Sequence, residues 1–145
     1  MSIATSTPTV HPVRREPLVL ALVVLLVTDL VGGLLAVSSG VNTWGEAWGS
    51  KALLAAPLPM TGVQIVLTVL AVRLNGRRAA VPAGLLAAAC LVSVVSGFFD
   101  GGLGNDELTT ALAAYQAFLL AVTGVVGLLA ARLAWRRGRG HRGGQ

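Results

Sequence analysis

Four stretches of this chain are apolar for about the length that a lipid bilayer demands, and this repetition constrains the fold more than any other feature. They run from Pro17 to about Ser38, from about Ala52 to Leu74, from about Ala79 to Phe99 and from about Leu108 to Trp135. A spanning helix needs about 20 mostly apolar residues, because each adds about 1.5 Å across a hydrocarbon core of about 30 Å. Composition removes the alternatives. Of the 145 residues, 54% are hydrophobic and 12% charged, and the mean hydropathy is +0.77. A soluble domain carries about 25% charged residues, and a chain this short cannot hide so much apolar surface from water. A disordered chain would be poor in Val and Leu. The sequence therefore predicts an all-α membrane protein, with residues 17–135 forming four transmembrane helices (17–38, 52–74, 79–99 and 108–135).

The segments between the spans are chemically distinct. Residues 39–51 are rich in Gly, Ser and polar groups, residues 75–78 read Asn-Gly-Arg-Arg, and residues 100–107 hold three glycines and three acids. Links this short make successive helices antiparallel, so the bundle should run up-down-up-down. Pro82 is expected in the first turn of the third helix, where a missing N–H costs least. Asn105 is placed to cap the fourth helix. Pro57 and Pro59 lie about one turn into the second segment and should kink or delay it. Residues 1–16 are Ser/Thr/Pro-rich and read as a disordered tail, and residues 136–145 as a basic tail. The first span ends at Ala36-Val37-Ser38, a passable signal-cleavage context. At about 20 residues with an internal aspartate it is too long for a signal core of about 7–15, so it is expected to be retained.

Charge sets the orientation. Arg14, Arg15, Arg73, Arg77, Arg78, Arg132, Arg136, Arg137, Arg139 and Arg142 all fall on one side of such a bundle, and Lys51 falls on the other. The positive-inside rule then places both termini in the cytoplasm of a multi-pass protein of the cell membrane. So strong a bias weighs against dual-topology insertion. The net charge of +5 thus points to anionic headgroups at the basic tail rather than to nucleic acid. Trp44, Trp48, Phe98, Phe99 and Trp135 fall where aromatic belts form, and a short helix could bring Trp44 and Trp48 to one side.

Candidate chemistry centres on Asp29. It lies about 18 Å along the first helix from Pro17, where a lipid-facing carboxylate would cost about 2.5–3.5 kcal/mol. It should therefore face other helices or a hydrated cavity. Gln64, Ser93, Tyr115 and Gln116 fall at similar depth, roughly 9–18 Å below the outer surface. They form with Asp29 a candidate intramembrane polar cluster, which either binds something or only joins the helices by hydrogen bonds. Small residues mark packing faces: Gly32 and Gly33 in the first helix, Gly97 in the third, Gly124 and Gly127 in the fourth.

Catalytic constellations are lacking. The single cysteine, Cys90, forms no redox pair, and His11 and His141 lie in the tails, so no haem, zinc or other cofactor is expected. Asp29, Tyr115 and Cys90 make no recognisable acid–base or nucleophile set. The acidic loop 100–107 lacks the spacing of a calcium loop. Two functional readings follow. The favoured one is a non-enzymatic structural or accessory membrane component, with a homo-oligomer or another membrane protein as partner. The alternative is a small proton- or cation-coupled transporter or channel with Asp29 as its site. An acid in the first of four spans resembles the small multidrug exporters, which carry a glutamate there, and the DoxX-like group shares the number of spans. No motif of either group is present, and the length and charge bias depart from the exporters, so no residue roles carry over.

Overall fold

The computed structural model describes residues 16–49, 51–52, 54–99 and 109–139. They form four helices, α1 (Pro17–Ser38), α2 (Leu58–Arg73), α3 (Arg77–Phe99) and α4 (Thr110–Arg139), and no strand occurs among them. By length and composition α1, α3 and α4 can cross a membrane, whereas α2, with 16 residues, is a shorter apolar helix.

Local chemistry explains the boundaries. Pro17 opens α1, where its fixed φ suits a first turn and its missing N–H is no loss. Gly40 then ends that helix by adopting φ +74°, and Gly76 takes φ +60° in the turn between α2 and α3. The start of α2 corrects the sequence expectation. Its helix begins at Leu58, not near Ala52, because Pro57 and Pro59 supply no N–H and Pro57 stays extended at ψ 139°. α3 begins at Arg77, so Pro82 falls in its second turn rather than its first. α4 is helical through Arg139, which makes residues 136–139 part of the helix and not of a tail. Thr109 caps α4, accepting the Leu112 N–H on its hydroxyl at 3.4 Å. Asn105, the acidic loop 100–107 and the two tails, apart from Glu16 and residues 136–139, lie outside the described residues.

The burial pattern is inverted relative to a protein folded in water. Val19, Leu20, Val23, Val27, Leu30 and Leu34 of α1 are exposed, as are Leu91, Val92 and Phe98 of α3 and Leu128 of α4. Asp29, Gln64, Thr68, Gln116 and Thr123 are buried. An apolar exterior with polar groups drawn inside suits an apolar solvent. The interior has two layers. Toward the end carrying Pro17, Leu18, Leu25, Ala71, Ala83, Leu86, Val126 and Ala130 pack into an apolar core. Toward the other end lie the polar groups and the irregular residues 51–57.

Glycines set how closely the elements approach. A Cβ on Gly32 would fall on the Leu54 carbonyl oxygen and 3.0 Å from the Tyr115 ring. On Gly33 it would meet the Trp48 ring at 2.5 Å, on Gly97 the Leu120 side chain at 2.6 Å, and on Gly127 the Cys90 Cβ at 2.9 Å. Gly97 pairs early α4 with late α3, while Gly127 pairs later α4 with mid-α3, so these helices run antiparallel. A Cβ on Gly124 would meet nothing within 4 Å among the described residues, and this glycine borders an open apolar groove between α3 and α4. Trp44 and Trp48 also part company. Residues 44–48 form turns rather than a helix, Trp44 is exposed, and Trp48 packs on α1.

The basic end is tied together directly. The Arg137 guanidinium donates to the Leu74 carbonyl just past α2, and the Arg139 guanidinium stacks 3.9 Å over the Trp135 ring. Arg132 and Arg136 line a recess with Glu16 and Pro17. The described arginines therefore gather at one end of the bundle, and Lys51 stands at the other. The glycine contacts lead to a paired prediction for thermal unfolding in detergent. Gly32→Ala should destabilise by about 1–3 kcal/mol through overpacking. Gly124→Ala should be neutral or stabilising by up to about 1 kcal/mol, as helix propensity dictates. Equal effects of the two changes would contradict the close approach of residues 51–57 to α1.

Candidate functional site

The late start of α2 creates the site. Residues 51, 52 and 54–57 cross the polar end of the bundle outside any helix. Several backbone groups in and beside this strap are satisfied by residues outside it. The Leu58 N–H donates to the Trp48 carbonyl at 3.2 Å, and the Asn42 amide donates to the Lys51 carbonyl at 3.2 Å. The Ala56 N–H donates to Asp29 Oδ1 at 3.0 Å. Leu54 is fully buried against Gly32 of α1. Backbone outside a helix is tolerated at membrane depth only where protein covers it or it borders a hydrated space.

Beside this strap is a cavity of about 360 Å³. Each helix supplies polar groups to it: Asp29 from α1, Gln64 from α2, Ser93 and Ser96 from α3, Gln116 and Thr123 from α4. Asp29, Gln64 and Gln116 are 4%, 2% and 7% exposed. Asp29 Oδ2, Gln64 Oε1 and Gln116 Oε1 nevertheless find no hydrogen-bond partner among the described residues. The Thr68 hydroxyl, one turn along α2 from Gln64, is buried and unpartnered in the same sense. By contrast Thr123 is satisfied within α4, donating to the Leu119 carbonyl at 2.9 Å.

The polar cluster read from the sequence is thus divided. Asp29, Gln64, Ser93 and Gln116 border one cavity, but the direct bond to Asp29 comes from the Ala56 backbone. Tyr115 stands apart from the cavity wall. Its hydroxyl donates to the Thr28 carbonyl at 2.6 Å and joins α4 to α1. Sequence reasoning missed the strap and Ser96. The pair Pro57 and Pro59 was the available signal, since a broken helix frees backbone groups that need polar partners nearby.

Lys51 stands at the margin of the cavity with its side chain 76% exposed, 3.6 Å from Glu46. Glu46 also accepts from the Thr43 N–H at 3.1 Å and hydroxyl at 2.8 Å. These bonds from Thr43, with the nearby Lys51 ammonium, hold its carboxyl below the usual carboxylate range. Lys51 thus pairs with Glu46 at the surface. Among the described residues no group of three or more His, Cys, Asp or Glu side chains is placed to hold a metal ion.

No family model, no curated protein and no solved structure matches the chain. The site must therefore be read from its own chemistry. A carboxyl group with one oxygen bound to backbone and one without a partner among the described residues, on a residue that borders a cavity lined by amides and hydroxyls, can hold a proton or a positively charged group. Among the described residues that border the cavity, Asp29 is the one acid. The Ala56 bond makes a specific prediction for stability in detergent. Asp29→Asn keeps an acceptor for that N–H and should lie within about 1 kcal/mol of the parent, whereas Asp29→Leu strands it and should lose about 1–3 kcal/mol. Thermal unfolding of the two variants distinguishes these outcomes, and equal losses would mean that the bond contributes little.

Proposed function

We propose that this chain is a multi-pass protein of the cell membrane that holds a proton or small cation at Asp29, in the class of small coupled transporters or channels. The observation that carries this reading is the set of buried acceptor oxygens, on three residues that border one cavity, without partners among the described residues. A cluster that served only to join helices would pair its acceptors with donors on neighbouring helices, because an unmade buried bond costs about 1–3 kcal/mol. In this proposal α2 with its strap forms the fourth span and the helices run up-down-up-down. The arginine-rich end faces the cytoplasm and its anionic headgroups, with both termini on that side. The cavity then opens to the outside.

A structural or accessory role is favoured by a different observation, the apolar groove of about 380 Å³ that runs past Ala87, Leu91, Gly124 and Leu128. Its open small residues suit close approach of a helix from another copy or another membrane protein. Gly124→Leu should then reduce the assembled mass in detergent, and an unchanged mass would remove this support.

Two experiments test the main reading. Single cysteines in a Cys90-free background should be labelled from outside at position 44 and not at position 77. The reverse pattern would overturn the orientation. Asp29→Asn should insert at parental levels yet abolish proton- or cation-coupled flux in liposomes. Undiminished flux in that variant would remove Asp29 from the mechanism.

A further inference from the structure

We infer that the cavity takes a primary alkylammonium ion, a small amine bearing a short apolar tail. This rests on the cation reading above and narrows it to a ligand class. On the residues that border the cavity, the buried atoms that lack partners among the described residues are all acceptor oxygens. Asp29 Oδ2, Gln64 Oε1 and Gln116 Oε1 come from three different helices, each side chain is more than nine-tenths buried, and all three residues border the same cavity. A primary ammonium offers three N–H donors and no acceptor, so it matches a site of this kind donor for acceptor. Its charge answers the carboxylate, and charge-assisted bonds of this type are the stronger ones.

The protein supplies no countercharge of its own among the described residues. Lys51, the basic side chain at the cavity margin, is largely exposed and sits beside Glu46 instead. A carboxylate at this depth needs a positive or hydrogen-bonding partner for the oxygen that Ala56 does not bind. Size and lining decide between kinds of cation. A space of about 360 Å³ is far larger than a bare metal ion requires, and Leu25, Met60, Leu119 and Leu120 make much of its wall apolar. An alkyl tail covers such a wall and gains by leaving water. A fully hydrated inorganic ion leaves it wet.

The test uses the purified full-length chain in detergent, with n-butylammonium, tetramethylammonium, sodium ion and 1-butanol as separate probes. Calorimetry and the shift of the unfolding midpoint serve as readouts. Butylammonium should bind and raise the midpoint. Tetramethylammonium, which has no N–H, and 1-butanol, which has no charge, should do neither at the same concentration. Gln116→Leu and Asp29→Asn should each weaken butylammonium binding by about tenfold or more. If tetramethylammonium binds as well as butylammonium, charge alone is recognised and the hydrogen-bond assignment is wrong. If sodium binds and butylammonium does not, the ligand class is wrong while Asp29 remains a cation site. If no cation binds and Asp29→Asn flux equals that of the parent, both readings fall. The probe series on the parent chain decides the ligand class even if a variant fails to fold.

Discussion

In a medium that offers no hydrogen bonds, every backbone N–H and C=O outside a helix has to find a partner inside the protein. In the proposed four-span arrangement that requirement falls on residues 51, 52 and 54–57, which Pro57 and Pro59 keep out of α2. The bond from the Ala56 N–H to Asp29 Oδ1 meets part of it and fixes the position of the carboxylate at the same time. Gly32 allows the strap to lie directly on α1, and Trp48 closes over Gly33 beside it. The cavity exists because the chain crosses this end of the bundle as a strap rather than as a helical turn. α1, α2 and α4 each bring one buried, unpartnered acceptor to its border, from Asp29, Gln64 and Gln116.

Much of the fold was legible in the sequence, since the periodic apolar runs report directly on helix length and solvent. The limits of α1 follow from Pro17 and from the polar break that Gly40 introduces. α2 was misjudged at its start for a physical reason. Hydropathy counts Leu54, Ala55 and Ala56 as apolar whether or not they are helical, and only the local effect of two prolines decides between those states. The arginines at the far end of α4 were read as a tail by charge, yet Arg137 and Arg139 remain helical because each has a partner, the Leu74 carbonyl and the Trp135 ring.

The polar site was legible in part. Depth along a helix follows from a rise of about 1.5 Å per residue, so Asp29, Gln64 and Gln116 could be set at similar levels without any structure. Facing direction is harder to read. Tyr115 adjoins Gln116 in sequence, but neighbouring positions on a helix point about 100° apart, which takes the tyrosine to the Thr28 carbonyl and away from the cavity. Gly124 and Gly127 differ in the same way, one open to the surroundings and the other against Cys90. A small side chain permits close packing on any face, and its identity does not say which face has a neighbour.

The apolar core between Leu18 and Leu25 has an electrical consequence. A membrane potential falls across low-dielectric material and very little across hydrated space. In the proposed arrangement, with a hydrated cavity on one side of that core and the arginine-rich end on the other, most of the field is concentrated over the few turns between Leu25 and Pro17. A cation reaching Asp29 from the strap side, as proposed, crosses little of the potential on its way. Any onward movement toward the basic end has to cross most of it, at about 2.3 kcal/mol per unit charge for each 100 mV, and also has to pass the arginines collected there.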